Sequence, residues 1–168
     1  MVYKLIIKKL YVLFSIGLIF NPLLSSNEVF EASDSTLKII SESYSAQEGD
    51  TLLVGLNFKL DSGWHTYWKN PGETGDSTKI KWALPVGIEA GEIQWPVPEK
   101  MEAFDQITYA YHHEVLLIIP LQLAKDIKPG EYELKGAVTW LECEETCLPG
   151  EKEVTCLLYT SPSPRDLS

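Results

Sequence analysis

The 168-residue chain is short of the residue types on which many functions depend. It has three cysteines, three histidines and two methionines, and 24 acidic side chains outnumber 14 basic ones. The resulting net charge of −10 repels phosphate, which argues against nucleic acid or an anionic membrane surface as a partner. No Gly-x-Ser-x-Gly motif and no phosphate-binding loop is present, so hydrolytic and nucleotide chemistry find no support. Asp61, Asp76 and Asp105 are scattered acids in turn-like surroundings, suited to capping and solubility. Beyond residue 26 there is no internal repeat and no helix-length stretch with a period of 3.6.

The one long apolar run lies at the start. Lys4, Lys8 and Lys9 precede Leu10–Phe20, and Asn21, Pro22 and the small residues Ser25 and Ser26 follow. A basic segment, a short apolar segment and a small-residue stop are the layout of a secretory signal peptide, expected here over residues 1–26. The run is short against the ~20 residues of a bilayer-spanning helix. An uncleaved anchor is the alternative, since Leu24-Ser-Ser is only a fair match to the cleavage rule. No cysteine follows the run, so a lipid-modified N-terminus is not indicated. Removing the segment leaves 11 basic and 24 acidic side chains, a net charge near −13.

From Leu37 onward the pattern is that of strands. Leu52, Val54, Leu56, Phe58 and Leu60 recur at a period of two, which buries one face of a strand. Further strands are expected over 37–44, 66–68, 79–84, 88–95, 115–123 and 132–142, with Gly and Pro between them. Seven or so short strands imply an all-β sandwich or barrel. Trp64, Trp68, Trp82, Trp95 and Trp140 are expected to supply much of its core. The strand pattern is expected to stop after Thr155. Cys156-Leu-Leu-Tyr-Thr-Ser-Pro-Ser-Pro-Arg-Asp166 resembles translated adapter DNA. Residues 27–155 are therefore expected to form one domain, and 156–168 a non-native or linker tail that leaves Cys156 outside the chemistry.

Cys143 and Cys147 are the obvious pair. A disulfide needs Cα atoms about 4.4–6.8 Å apart, whereas four residues of extended strand span ~13 Å. The backbone between them must fold back, and Pro149-Gly150 is consistent with a tight loop. So small a ring restricts the unfolded chain little. A bridge that adds little stability but lies exposed at a loop suits thiol–disulfide exchange, and a local structural staple is the alternative. Glu142, Glu144 and Glu145 crowd the pair and disfavour a thiolate. The expected behaviour is a passive relay, and the sequence does not say which cysteine is attacked first.

Four segments in order carry a resemblance. They are Gly63-Trp-His-Thr-Tyr-Trp-Lys-Asn-Pro-Gly72, Ile93-Gln-Trp-Pro-Val-Pro98, Tyr109-Ala-Tyr-His-His-Glu-Val115 and Trp140-Leu-Glu-Cys-Glu-Glu-Thr-Cys-Leu-Pro-Gly150. From about Ser35 to Thr155 the chain resembles the N-terminal periplasmic domain of thiol:disulfide interchange proteins of the DsbD/ScsB type. The resemblance implies an immunoglobulin-like β-sandwich in the bacterial periplasm, with Cys143 and Cys147 as the redox pair and no cofactor. It implies electrons arriving from membrane-embedded and thioredoxin-like domains absent from this chain, and oxidised periplasmic proteins receiving them. It also implies an aromatic that shields the disulfide, a role open to Phe104, Tyr109 or Tyr111. The cysteine spacing is more similar to the copper-tolerance-related branch than to the best-known members.

Two rival readings remain at this point. His65, His112, His113 and the cysteines are ligands suited to copper or zinc. Adjacent His112 and His113 would point to opposite faces of a strand, however, and His65 reads as a packed, hydrogen-bonded residue. A non-catalytic interaction module is the other, since sandwiches host many functions.

Overall fold

The alternation in Thr51–Lys59 (β3) is realised as a strand with Leu52, Val54, Leu56 and Phe58 at 3% exposure or less. It pairs antiparallel with Glu114–Leu123 (β9) in the register Leu52↔Leu121, Val54↔Ile119, Leu56↔Leu117 and Phe58↔Val115. The inward residues of the two strands therefore stand side by side on one face of the sheet, as cross-strand neighbours. The computed structural model describes residues 35–161 apart from Phe104. The expected signal peptide lies outside the described residues.

Thr36–Ser41 (β1) flanks β3, and Ile88–Ala90 (β6) flanks β9, giving a four-stranded sheet in the order β1-β3-β9-β6. The second sheet runs β2-β11-β10-β4-β8-β7, and β5 pairs with β10 off that path. Its strands are Ser45–Ala46 (β2), His65–Gly72 (β4), Lys79–Ala83 (β5), Glu99–Ala103 (β7), Gln106–His112 (β8), Gly130–Cys143 (β10) and Cys147–Thr160 (β11). No helix occurs among the described residues. Leu134, Val138, Val154 and Leu158 of β10 and β11 close the core from this side. The all-β immunoglobulin-like sandwich expected from the sequence is the observed fold.

The interior is more aliphatic than the tryptophan count implies. Trp68, Trp82, Trp95 and Trp140 pack partly buried at the margin of the core, and Trp64 lies outside the cluster. So large a ring is seldom wholly enclosed, although the Nε1 atoms of Trp68 and Trp140 are themselves buried without a hydrogen-bond partner among the described residues. Trp140 ties the sheets together, meeting Phe58 edge-on at 5.5 Å. Its ring covers Gly150, its cross-strand partner, where a β-carbon would fall 2.2 Å from the indole. Only glycine permits that approach.

β2, β7, β8 and β11 add to the strands expected from the sequence, and β11 runs past the expected stop at Thr155 to Thr160. Leu158 is wholly buried, Cys156 packs against the core, and Thr160 accepts a hydrogen bond from Gly130 N. The period-two burial of Val154 and Leu158 outweighs the polar composition around them. The described part of the expected tail is thus the end of a central strand. Leu158→Ala is expected to cost ~2–5 kcal/mol in urea unfolding. A chain ending at Thr155 should be less stable than one ending at Ser161.

Candidate functional site

β10 and β11 form a hairpin joined by the three residues Glu144–Thr146. Their ladder ends on the cross-strand pair Cys143↔Cys147. The expected fold-back is a hairpin mouth, and the two cysteines form a disulfide with Cα atoms 4.1 Å apart. Cross-strand neighbours in a narrow pair already have their Cβ atoms within bonding reach, so the ladder itself supplies the spacing.

The two sulfurs occupy different environments. Cys143 has β11 on one side and β4 on the other, through the pairs Cys143↔His65 and Glu142↔Thr66. Cys147 opens β11, whose outer neighbour β2 reaches only Tyr159 and Thr160 at the far end. Cys143 is consequently 2% exposed, while Cys147 is exposed. Thr66 Oγ1 donates to the Leu141 carbonyl at 2.9 Å and pins β4 against β10.

β4 begins after a turn at Asp61-Ser62-Gly63, where Trp64 N donates to the Asp61 carbonyl and Gly63 takes a positive φ of 88°. From there His65 and Tyr67 share the Cys143 side of the sheet, and Thr66 faces the other way. The Tyr67 hydroxyl donates to Cys143 Sγ at 3.0 Å and lies 3.9 Å from Cys147 Sγ. His65 Nε2 is 3.3 Å from the same hydroxyl. A disulfide sulfur carries no hydrogen, so the single hydroxyl hydrogen is committed to it. His65 Nε2 must then be the donor, which fixes the Nε2–H tautomer and leaves Nδ1 as an acceptor.

Behind this group stands His112 of β8, paired in register with His65, the rings 5.6 Å apart. His112 Nδ1 is 3.1 Å from the exposed Glu99 carboxylate of β7. Burial, and secondarily the nearby His112, lower the His65 pKa below the ordinary histidine value, so the ring is neutral at pH 7. Burial raises the Tyr67 pKa, so its hydroxyl keeps its hydrogen.

The aromatic residues expected to shield the disulfide lie elsewhere or outside view. Tyr111 is in the core, its hydroxyl donating to the Pro96 carbonyl at 2.8 Å. Tyr109 packs edge-on against Trp68 at 5.9 Å. Phe104 lies outside the described residues. Among the described residues, the aromatic in contact with the disulfide is Tyr67, whose role the sequence reading missed. The signal was there in the period-two pair His65 and Tyr67, but which strand they would face was not. His65 is the packed, hydrogen-bonded residue expected. Among the described residues, no group of three or more His, Cys, Asp or Glu is arranged to hold a metal ion. Cys156 sits nine residues along β11 from Cys147, about 30 Å of extended strand, and burial raises its thiol pKa.

Residues 38–158 match the family model described as the N-terminal domain of thiol:disulfide interchange protein DsbD. Among solved structures, the N-terminal periplasmic domain of ScsB from Proteus mirabilis is similar at 24% identity and a TM-score of 0.55. That match covers 79% of this chain and 49% of the other, so the chain spans about half its length. The DsbD N-terminal domain of Neisseria meningitidis in its reduced form is 18% identical with a TM-score of 0.45, covering 73% of this chain and 85% of that one. No curated protein matches the chain. The family model extends from β1 into the last turn of the β11 ladder and takes in the disulfide hairpin, and on that match the chain belongs to the DsbD N-terminal domain family of thiol:disulfide interchange proteins.

Proposed function

We propose that this domain is a periplasmic thiol–disulfide relay working through Cys143 and Cys147. The observation that carries the reading is the unequal exposure of two bonded sulfurs at a hairpin mouth. Cys147 is exposed to an incoming thiolate, whereas β4 and β11 enclose Cys143. Attack at Cys147 forms a mixed disulfide and releases Cys143 as the leaving group. Attack by the donor's second thiol on its own sulfur then frees Cys147 and leaves the domain as a dithiol.

Delivery to an oxidised partner runs the same steps backward. Cys147 attacks, a mixed disulfide forms, and Cys143 resolves it across 4.1 Å of Cα separation without rearranging the ladder. Family membership supports a thioredoxin-like or membrane-embedded donor and oxidised periplasmic acceptors. The acidic loop residues Glu144 and Glu145 are exposed beside Cys147 and do nothing to stabilise a free thiolate. Reactivity on this reading comes from the docked partner, which keeps the exposed pair from reacting with every passing thiol.

The reduction potential should lie between those of thioredoxin and the oxidising periplasmic carriers, roughly −270 to −120 mV, in graded thiol redox buffers. A value below about −300 mV, with no exchange toward a reduced thioredoxin-like protein, would make the bridge a structural staple. Single-cysteine variants separate the roles. Cys143→Ala is expected to trap a mixed disulfide at Cys147 with a thioredoxin-like partner, and Cys147→Ala to trap none. In the reduced protein, mass spectrometry after brief iodoacetamide treatment should find Cys147 alkylated well before Cys143. Equal labelling of the two would remove the asymmetry on which the assignment stands.

A further inference from the structure

Two-electron reduction of the disulfide yields two thiols and needs two protons. Cys147 is exposed and takes its proton from water. Cys143 is 2% exposed and has no such access, so its proton must arrive through protein groups. The group in contact with its sulfur is the Tyr67 hydroxyl at 3.0 Å, and the group in contact with that hydroxyl is His65 Nε2 at 3.3 Å.

We propose that Tyr67 and His65 form a proton path serving the buried sulfur, with His112 and Glu99 at its solvent end. The inference rests on the relay reading above. As a donor thiolate bonds to Cys147 Sγ, the electron pair of the broken S–S bond stays on Cys143 Sγ. Tyr67 passes its hydroxyl hydrogen to that sulfur, and His65 Nε2–H replaces it on the tyrosine oxygen. His65 Nδ1 takes a proton from the water side. The balance is one proton consumed from water, one buried thiol formed, and a histidine that remains neutral in its other tautomer. When Cys143 later resolves a mixed disulfide, its proton leaves by the same atoms in reverse and the starting tautomer is restored.

The surroundings suit this role. His65 is buried enough to stay neutral at pH 7, and a neutral imidazole can accept at one nitrogen while donating at the other. His112 is a quarter exposed and paired to the exposed Glu99, so the path ends at the surface. The titratable groups packed around His65 are Tyr67 on its own strand, His112 of β8 with Glu99 of β7 behind it, and the cysteine pair of β10 and β11. Glu144 of the hairpin loop lies against Gly63, two residues before His65. Glu142 and Tyr111 pair with Thr66 and lie on the opposite face of the sheet.

The test uses the oxidised full chain opened by excess dithiothreitol between pH 6 and 8.5, in H2O and in D2O. Rates are corrected for the thiolate fraction of the reagent and followed by quenched alkylation. The wild-type rate should be slower in D2O. Tyr67→Phe, which keeps the ring and removes the hydroxyl, should slow opening about a hundredfold, the low end for a placed general acid, and abolish the D2O effect. His65→Gln can still donate to Tyr67 but cannot pass a proton, so it should also lose the D2O effect. Wild-type rates in both variants, or slower rates with the D2O effect intact, overturn the path and leave the relay standing. If Tyr67→Phe does not fold, His65→Gln and the wild-type isotope effect decide alone. A wild-type disulfide that dithiothreitol does not open would fail the relay reading itself.

Discussion

The antiparallel pairing of β10 with β11 is the constraint on which the site depends. It runs without interruption from Gly130↔Thr160 to Cys143↔Cys147, so the register at the buried end dictates what stands opposite what at the exposed end. A slip of one residue would turn Leu134, Val138, Val154 and Leu158 out of the core, at a cost in apolar burial that no local preference of the hairpin could offset. The core therefore holds the two sulfurs in bonding range through a ladder, although it touches neither of them directly. The same frame brings β4 alongside β10, and with it the tyrosine that contacts the disulfide and the histidine that contacts that tyrosine.

The sandwich places the chemistry at an end of the ladder and on one face of it. There the backbone has a paired strand on each side of Cys143 and, among the described residues, none beyond Cys147, and that difference makes two chemically equivalent residues unequal. Nothing in the residue types of the pair distinguishes them; position does. The polar groups behind Cys143 are few and each is matched to a neighbour, as a buried hydroxyl and imidazole must be.

Some of this was legible in the sequence because one physical rule governed it. β3 was legible because one of its faces lies in a single core and a period-two reading detects that alternation, whereas β9 is an apolar run in sequence and alternates only in its burial. The fold-back between the cysteines followed from bond geometry alone. β8 escaped because Tyr109, Tyr111 and His112 read as a motif and its neighbours are mixed in polarity. The end of β11 escaped because Cys156-Leu-Leu-Tyr-Thr has the composition of a tail, while its burial comes from partners as far back as Gly130. The tryptophans misled for a related reason. Aromatic count measures potential buried area, but where that area goes depends on layers the sequence does not display. His65 and Tyr67 were visible as residues and not as a site, since a strand's period says which residues share a face and not what lies across from it.

The length of β11 has a consequence for tethering. Its fourteen residues carry the chain from the disulfide to the opposite pole of the sandwich, up to about 40 Å along the strand. Whatever follows Ser161 starts there. A module attached at that pole needs about a dozen fully extended residues before it can return to Cys147, and more if its connector is slack. The effective concentration of such a module at the sulfurs is set by the connector's reach, and a short connector would reserve the hairpin mouth for partners arriving from solution.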